Sequence, residues 1–66
     1  MQPHQQRVVD EKQELDTKLD KLTVFLKGDL FESLPDDEQD RLAKQLGIMS
    51  EYSNILAERI AHFPKE

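Results

Sequence analysis

Leu42-Ala43-Lys44-Gln45-Leu46-Gly47-Ile48-Met49-Ser50-Glu51-Tyr52-Ser53-Asn54-Ile55-Leu56-Ala57-Glu58-Arg59-Ile60-Ala61-His62-Phe63 is the stretch that decides the fold. Leu42, Leu46, Met49, Ser53, Leu56, Ile60 and Phe63 alternate steps of four and three without a slip. Residues so spaced share one stripe of an α-helix, and a stripe this long packs lengthwise on another helix. A second row, Ile48, Tyr52, Ile55 and Arg59, lies beside the first. The apolar face is therefore too wide for one partner helix. Pro64 ends the helix, and Ser33-Leu34-Pro35-Asp36-Asp37-Glu38 starts it. A serine, an early proline and first-turn acids mark a helix N-terminus, with the cap at either Ser33 or Leu34. Gly47 lies inside the helix, where close helix approach or a mild kink would explain it.

Working outward, a first helix runs from Pro3 to about Lys27, with no internal Gly or Pro. Val8, Leu15 and Leu22 occupy heptad d positions, and Leu19 and Leu26 occupy a positions. Gln5 and Lys12 fill the remaining a positions, so the N-terminal half of this seam is polar. Arg7/Glu11, Lys12/Asp16 and Glu14/Lys18 are opposite charges four apart, each adding a few tenths of a kcal/mol to a helix. Gly28 is the usual kind of residue just past a helix end. Residues 29–34 form a short turn whose Leu30, Phe31 and Leu34 plug the hairpin end.

The fold class that follows is all-α. An antiparallel two-helix hairpin forms one domain over residues 1–66, with helix 1 about 3–27, a turn about 29–34 and helix 2 about 35–63. Pairing sets Leu26 near Leu42, Leu22 near Leu46, Leu19 near Met49, Lys12 near Leu56 and Val8 near Ile60. The row Ile48/Tyr52/Ile55, together with Val9, Val24 and Phe25, is left facing water. Uncovered apolar surface of this kind marks an interface. The expectation is a homo-oligomeric helical bundle with Phe25, Ile48, Tyr52 and Ile55 at the contacts between copies. The alternative is a protein-binding module whose helix-2 face docks another protein.

Composition narrows the function. The chain has 66 residues, 36% hydrophobic and 35% charged, and a domain so small is marginal alone. It has no cysteine, which removes disulfides, thiolate metal sites and cysteine nucleophiles and suits a cytoplasmic setting. A net charge of −5 disfavours duplex DNA or RNA, whose phosphates require a concentrated positive face. The run Met1 to Arg7 does not read as a signal peptide, and no run is apolar enough for a membrane span. His4 and His62 lack a convincing third ligand, so no metal or other cofactor is expected. The carboxylates Asp10, Glu11, Glu14, Asp16 and Asp20 read as a solvated helix face, and no phosphate loop or nucleophile elbow appears. A catalyst is not expected.

Binding chemistry concentrates elsewhere. Arg7, Lys12, Arg59 and the ring of Tyr52 suit a pocket for a planar, anionic ligand, because guanidinium forks grip phosphate and aromatic rings stack on bases. Surface ion pairs and an interface tyrosine are the alternative reading. Lys18 and Lys21 form a second basic patch. In a symmetric oligomer, copies of one cation converge on one ligand.

His4-Gln5-Gln6-Arg7-Val8-Val9-Asp10-Glu11-Lys12, then Glu14-Leu15-Asp16-X-Lys18-Leu19-X-Lys21-Leu22-X-X-Phe25-Leu26, resembles small proteins of crAss-like and other tailed phages. Leu34-Pro35 and Met49-Ser50-Glu51-Tyr52-Ser53-X-Ile55-Leu56-X-X-Arg59-Ile60 resemble them too. Their hairpin is similar to that of phage anti-CBASS and anti-Thoeris sponges. Those are homo-oligomers, commonly hexamers, that trap cyclic nucleotide immune signals without cleaving them. The resemblance implies sequestration of a cyclic di- or trinucleotide, or of a cyclic ADP-ribose variant, in a host cytoplasm. Arg7, Lys12, Lys21, Tyr52 and Arg59 are motif positions with chemistry suited to such a ligand.

Overall fold

The computed structural model describes residues 1–64. Three helices appear in order: α1 (Pro3–Leu26), α2 (Asp29–Glu32) and α3 (Asp36–Ala61). The described residues contain no strand. α1 and α3 pack side by side into a rod of 51 × 15 × 14 Å. Their lengths of 24 and 26 residues correspond to about 36 and 39 Å of helix. Tyr52 meets Glu11 and Ser53 meets Asp16, so the chain doubles back on itself through residues 27–35. The Asp16–Ser53 contact lies within one residue of the pairing read from the heptads, whereas Glu11–Tyr52 spans five residues off it.

Each helix start has a local cause. Pro3 occupies the first turn of α1, where no N–H is required. The Gln2 backbone N–H donates to Gln5 Oε1 at 2.9 Å, and this bond explains why polar Gln5 is buried at a seam position. At α3 the cap position is Pro35, not Ser33 or Leu34. The Ser33 hydroxyl instead donates to the Leu30 carbonyl at 2.7 Å, closing the end of α2. Gln39 replaces it as the fastener, its Nε2 donating to the carbonyls of Leu34 at 2.9 Å and Glu32 at 3.3 Å. Asp36, Asp37 and Glu38 place negative charge on the amide-rich end of α3, and Arg41 pairs with Asp37 and Glu38.

The connection differs from the expected plug in one residue. Phe31 and Leu34 are half-buried, but Leu30 is 71% exposed. Phe31 meets Phe25 with ring centroids 6.4 Å apart and planes tilted by 52°, a favourable aromatic geometry. Phe25 is therefore half-buried within the hairpin rather than freely facing water, as is Val9, while Val24 protrudes. Gly28 has a φ of −97°, so the chain leaves α1 without the left-handed residue that glycine usually supplies there.

Of the two readings of Gly47, close helix approach is not what the hairpin shows. A Cβ built on it would meet no atom within 4 Å, so no close approach within the chain requires it. Gly47→Ala is expected to stabilise the hairpin by about 1 kcal/mol from helix propensity. In a domain of this size the midpoint of thermal unfolding should rise by roughly 4–8 °C, and a falling midpoint in circular dichroism would contradict the open space seen beside Gly47.

The core is small. Among the described residues only Gln5, Val8, Ser53 and Leu56 are buried, and Leu56 is fully enclosed. Leu19, Leu22 and Leu26 of α1 and Leu42 and Leu46 of α3, nearer the connection, are half-buried. The tightest layer thus lies in the polar half of the seam. There, side chains from the flanks bridge the two helices, Tyr52 to Glu11 and Ser53 to Asp16. The accessible surface is 5223 Å², against about 4,300 Å² for a globular monomer of this mass. The surplus is what a two-helix rod leaves uncovered.

Candidate functional site

The flank of the hairpin that carries Tyr52 is where charge, aromatic surface and apolar surface meet. On α3, Ile48, Tyr52 and Ile55 are 67%, 41% and 53% exposed. They follow one another within two helical turns, so a ring sits between two open aliphatic side chains. Arg59 continues the same row, and its guanidinium lies close enough to Tyr52 to act on the phenol electrostatically. From α1, Glu11 accepts a hydrogen bond from the Tyr52 hydroxyl. That bond, followed by partial desolvation, pushes the phenol pKa above its usual value, and Arg59 opposes the rise. Tyr52 therefore stays a neutral donor throughout the physiological range.

Beside this flank runs a polar relay across the seam. Lys12 Nζ lies 2.6 Å from Asp16 Oδ2, and the Ser53 hydroxyl donates to Asp16 Oδ1 at 2.5 Å. The Lys12 bond, and then the Ser53 bond, hold the Asp16 carboxyl below the ordinary carboxylate range. The stability this adds has a definite sign. Asp16 has a lower pKa folded than unfolded, so the stabilisation is complete above the unfolded value and disappears as pH falls through the folded one. Asp16→Asn should lower stability at neutral pH and flatten the loss below about pH 4. Urea midpoints at pH 7 and pH 3 test this, and an unchanged difference between them would remove the relay from the account.

The residues selected from sequence separate into groups. Tyr52 and Arg59 share one flank. Lys12 is half-buried and held by Asp16 rather than pointing into an open pocket. Arg7 and Lys21 are exposed on the outer side of α1. They are 14 residues apart in one helix, about 21 Å at 1.5 Å per residue, so within one chain they do not serve one compact ligand. Of the ion pairs read from spacing, Lys12/Asp16 forms, while Arg7/Glu11 and Glu14/Lys18 do not among the described residues. His62 Nδ1 lies 2.7 Å from the Glu58 carbonyl, and no cluster of three or more His, Asp and Glu side chains suited to a metal ion occurs among the described residues.

Two site residues were missed by reading the carboxylates as solvated. With Val8 at d, Glu11 falls at g and Asp16 at e, the positions that flank a coiled-coil seam. Lettering the α3 stripe afresh, with Leu42, Met49 and Leu56 at d and Leu46, Ser53 and Ile60 at a, puts Tyr52 and Arg59 at g. In an antiparallel pair these flanks face each other, so the Glu11–Tyr52 contact was available from the heptad letters.

The family model for Sequestin matches residues 2–62, which takes in all of α1, α2 and α3. The chain belongs to the Sequestin family. The name denotes sequestering, a binding role rather than a catalytic one. Comparison with curated proteins and with solved structures returns no match. Within this Sequestin chain no helix of the described residues is long and apolar enough to cross a membrane.

Proposed function

We propose that this Sequestin chain sequesters cyclic nucleotide second messengers, cyclic di- or trinucleotides or cyclic ADP-ribose variants, without cleaving them. In this reading it is a phage immune-evasion protein that acts in the host cytoplasm. The observation that carries the proposal is Tyr52, a partly exposed aromatic residue between exposed Ile48 and Ile55, with Arg59 further along the same row of α3. An aromatic face stacks on any base, and a guanidinium grips phosphate with forked, charge-assisted hydrogen bonds. Family membership supports a role in holding a ligand.

The same flank is the proposed contact between copies, a hexamer by the phage resemblance. Ile48 and Ile55 would be covered by the neighbouring copy, with Tyr52 at the edge of that contact, one ring face left to the ligand, and the uncovered side of Phe25 at its margin. The surplus surface of the rod supports this, since burying apolar area is the main drive to association. Assembly also addresses the scatter of cations. Arg7, Lys12 and Lys21 stand apart in one chain, and neighbouring copies would bring them to a shared crevice.

The mechanism is mass action. A sequestering protein lowers free signal when it binds more tightly than the effector and is in excess. Nanomolar binding, about −12 kcal/mol, is sufficient. Calorimetry with a panel of cyclic di- and trinucleotides and cyclic ADP-ribose isomers is expected to show saturable heat with at least one. Native mass spectrometry should then show a homo-oligomer carrying that ligand at its intact mass. No heat with any of the panel, or a stable complex with another polypeptide in place of the homo-oligomer, overturns the reading.

A further inference from the structure

We infer that two copies of the hairpin pair through a two-fold axis that crosses the rod at the level of the Asp16–Ser53 bond, each helix antiparallel to its own copy. This rests on reading the Tyr52 flank as a contact between copies, and it goes beyond that reading by fixing the symmetry and the register. With the heptad letters above, the c and g positions of both helices lie on one side of the rod. On α3 they give Gln45, Ile48, Tyr52, Ile55 and Arg59, all exposed. From either end this row reads polar, Ile, Tyr, Ile, polar, and its midpoint is Tyr52. On α1 they give Arg7, Glu11, Glu14, Lys18, Lys21 and Phe25, of which only Phe25 is half-buried. About its midpoint at residue 16, this second row sets Glu14 opposite Lys18 and Glu11 opposite Lys21.

The two midpoints coincide in space. The Ser53 hydroxyl donates to Asp16, so the centre of the α1 row and the centre of the α3 row stand at one level. Rows on separate helices therefore call for the same axis. An axis there, lying between the copies and across the rod, sets Ile48 on Ile55 of the second copy and Ile55 on its Ile48, as an isologous contact requires. On α1 it sets Glu14 against the second copy's Lys18, Glu11 against its Lys21, and Arg7 over its Phe25, a cation on an aromatic ring. Arg7, Glu11, Glu14, Lys18 and Lys21 form no ion pair among the described residues of one chain. An axis along the rod does the opposite. It lays Lys21 on Ile48 and Glu14 on Ile55, charge on hydrocarbon. Arg41 and His62 extend the α3 row by a turn at either end, to about 32 Å. Across the 15 Å width of the rod, two copies cover roughly 1,000 Å², the size at which a contact becomes specific. Glu11 already adjoins Tyr52, so the axis also delivers the second copy's Lys21 to the Tyr52 flank, and the ligand site takes groups from both copies.

The chain has no cysteine, so introduced thiols report on this contact alone. Full-length chains carrying Ile48→Cys and Ile55→Cys, mixed under mild oxidation without ligand, are expected to give a covalent heterodimer as the main product. Each variant alone should give about fivefold less, because like positions then stand roughly 10 Å apart along the rod, beyond the reach of a disulfide. E14K and K18E supply a second measurement that leaves the apolar contact intact. Each alone sets like charge against like charge on α1, and its dimer is expected to weaken about tenfold in sedimentation equilibrium. Mixing the two restores opposite charges across the axis while leaving each hairpin's own helix as it was, and association should return to within about threefold of wild type. Like-with-like disulfides favoured over the mixed one, or no recovery on mixing E14K with K18E, overturns the two-fold register and leaves sequestration standing. Wild type that sediments as a monomer up to about 1 mM overturns the contact between copies as well.

Discussion

Leu56→Ala is expected to leave most of the chain unfolded at 25 °C. Leu56 has 0% of its surface exposed and, among the described residues, is the one large side chain that the hairpin encloses completely. Truncating a buried leucine to alanine costs about 2–5 kcal/mol, the lost transfer term plus the cavity left behind. Domains of this length have only roughly 3–10 kcal/mol to lose, and a rod with four buried residues among those described belongs near the lower end. Helicity at 222 nm should fall steeply, and the urea midpoint should drop or vanish. Ile48→Ala is the contrasting case. Ile48 is exposed, and such surface changes usually stay within about 0.5 kcal/mol of neutral for the fold itself. If Leu56→Ala melted with wild type, the enclosed layer around Leu56 would not be what holds α1 to α3.

Tyr52→Ala is expected to weaken cyclic nucleotide binding by roughly ten- to a hundredfold, the effect of removing one aromatic–base stack. The fold should survive, because the ring lies on the flank and not in the enclosed layer. The hydroxyl contributes separately. It holds Glu11, and its loss would release that carboxylate toward the phosphates. Calorimetry with the tightest ligand of the panel measures the change. Affinity within about threefold of wild type would place the ligand elsewhere and redirect attention to Arg7 and Lys21 on the outer side of α1.

Much of the fold is legible in the sequence, for a simple reason. Leu42, Leu46, Met49, Leu56 and Ile60 repeat at helical spacing, and apolar repeats report which side of a helix is covered. The same repeats set the register, and the Asp16–Ser53 bond lies within one residue of it. Details that depend on a competing partner were less legible. Ser33 resembles a cap for α3, yet its hydroxyl finds the Leu30 carbonyl first. Leu30 resembles a core residue, but a four-residue helix covers only one side of itself. The most enclosed layer lies in the polar half of the seam, where buried Gln5 and Ser53 find hydrogen-bond partners in the Gln2 backbone and Asp16. For the candidate site, Tyr52 and Arg59 were visible as an aromatic and a cation on one row. Glu11 and Asp16 were not, because a carboxylate four residues from a lysine or arginine satisfies the rule for a solvated ion pair.

The bond between Asp16 and Ser53 has a mechanical consequence. Leucine stripes tolerate sliding, since a shift of one turn sets one aliphatic group against another. Here a slip of one turn would bring Asp16 beside Leu56 or Met49, and the carboxylate would lose the Ser53 hydroxyl and keep only Lys12 on its own helix. That one bond therefore favours the observed setting over its neighbours, as a single tooth does in a ratchet. Glu11 and Tyr52, one turn and one residue away from that pair on their own helices, inherit a fixed mutual distance from it.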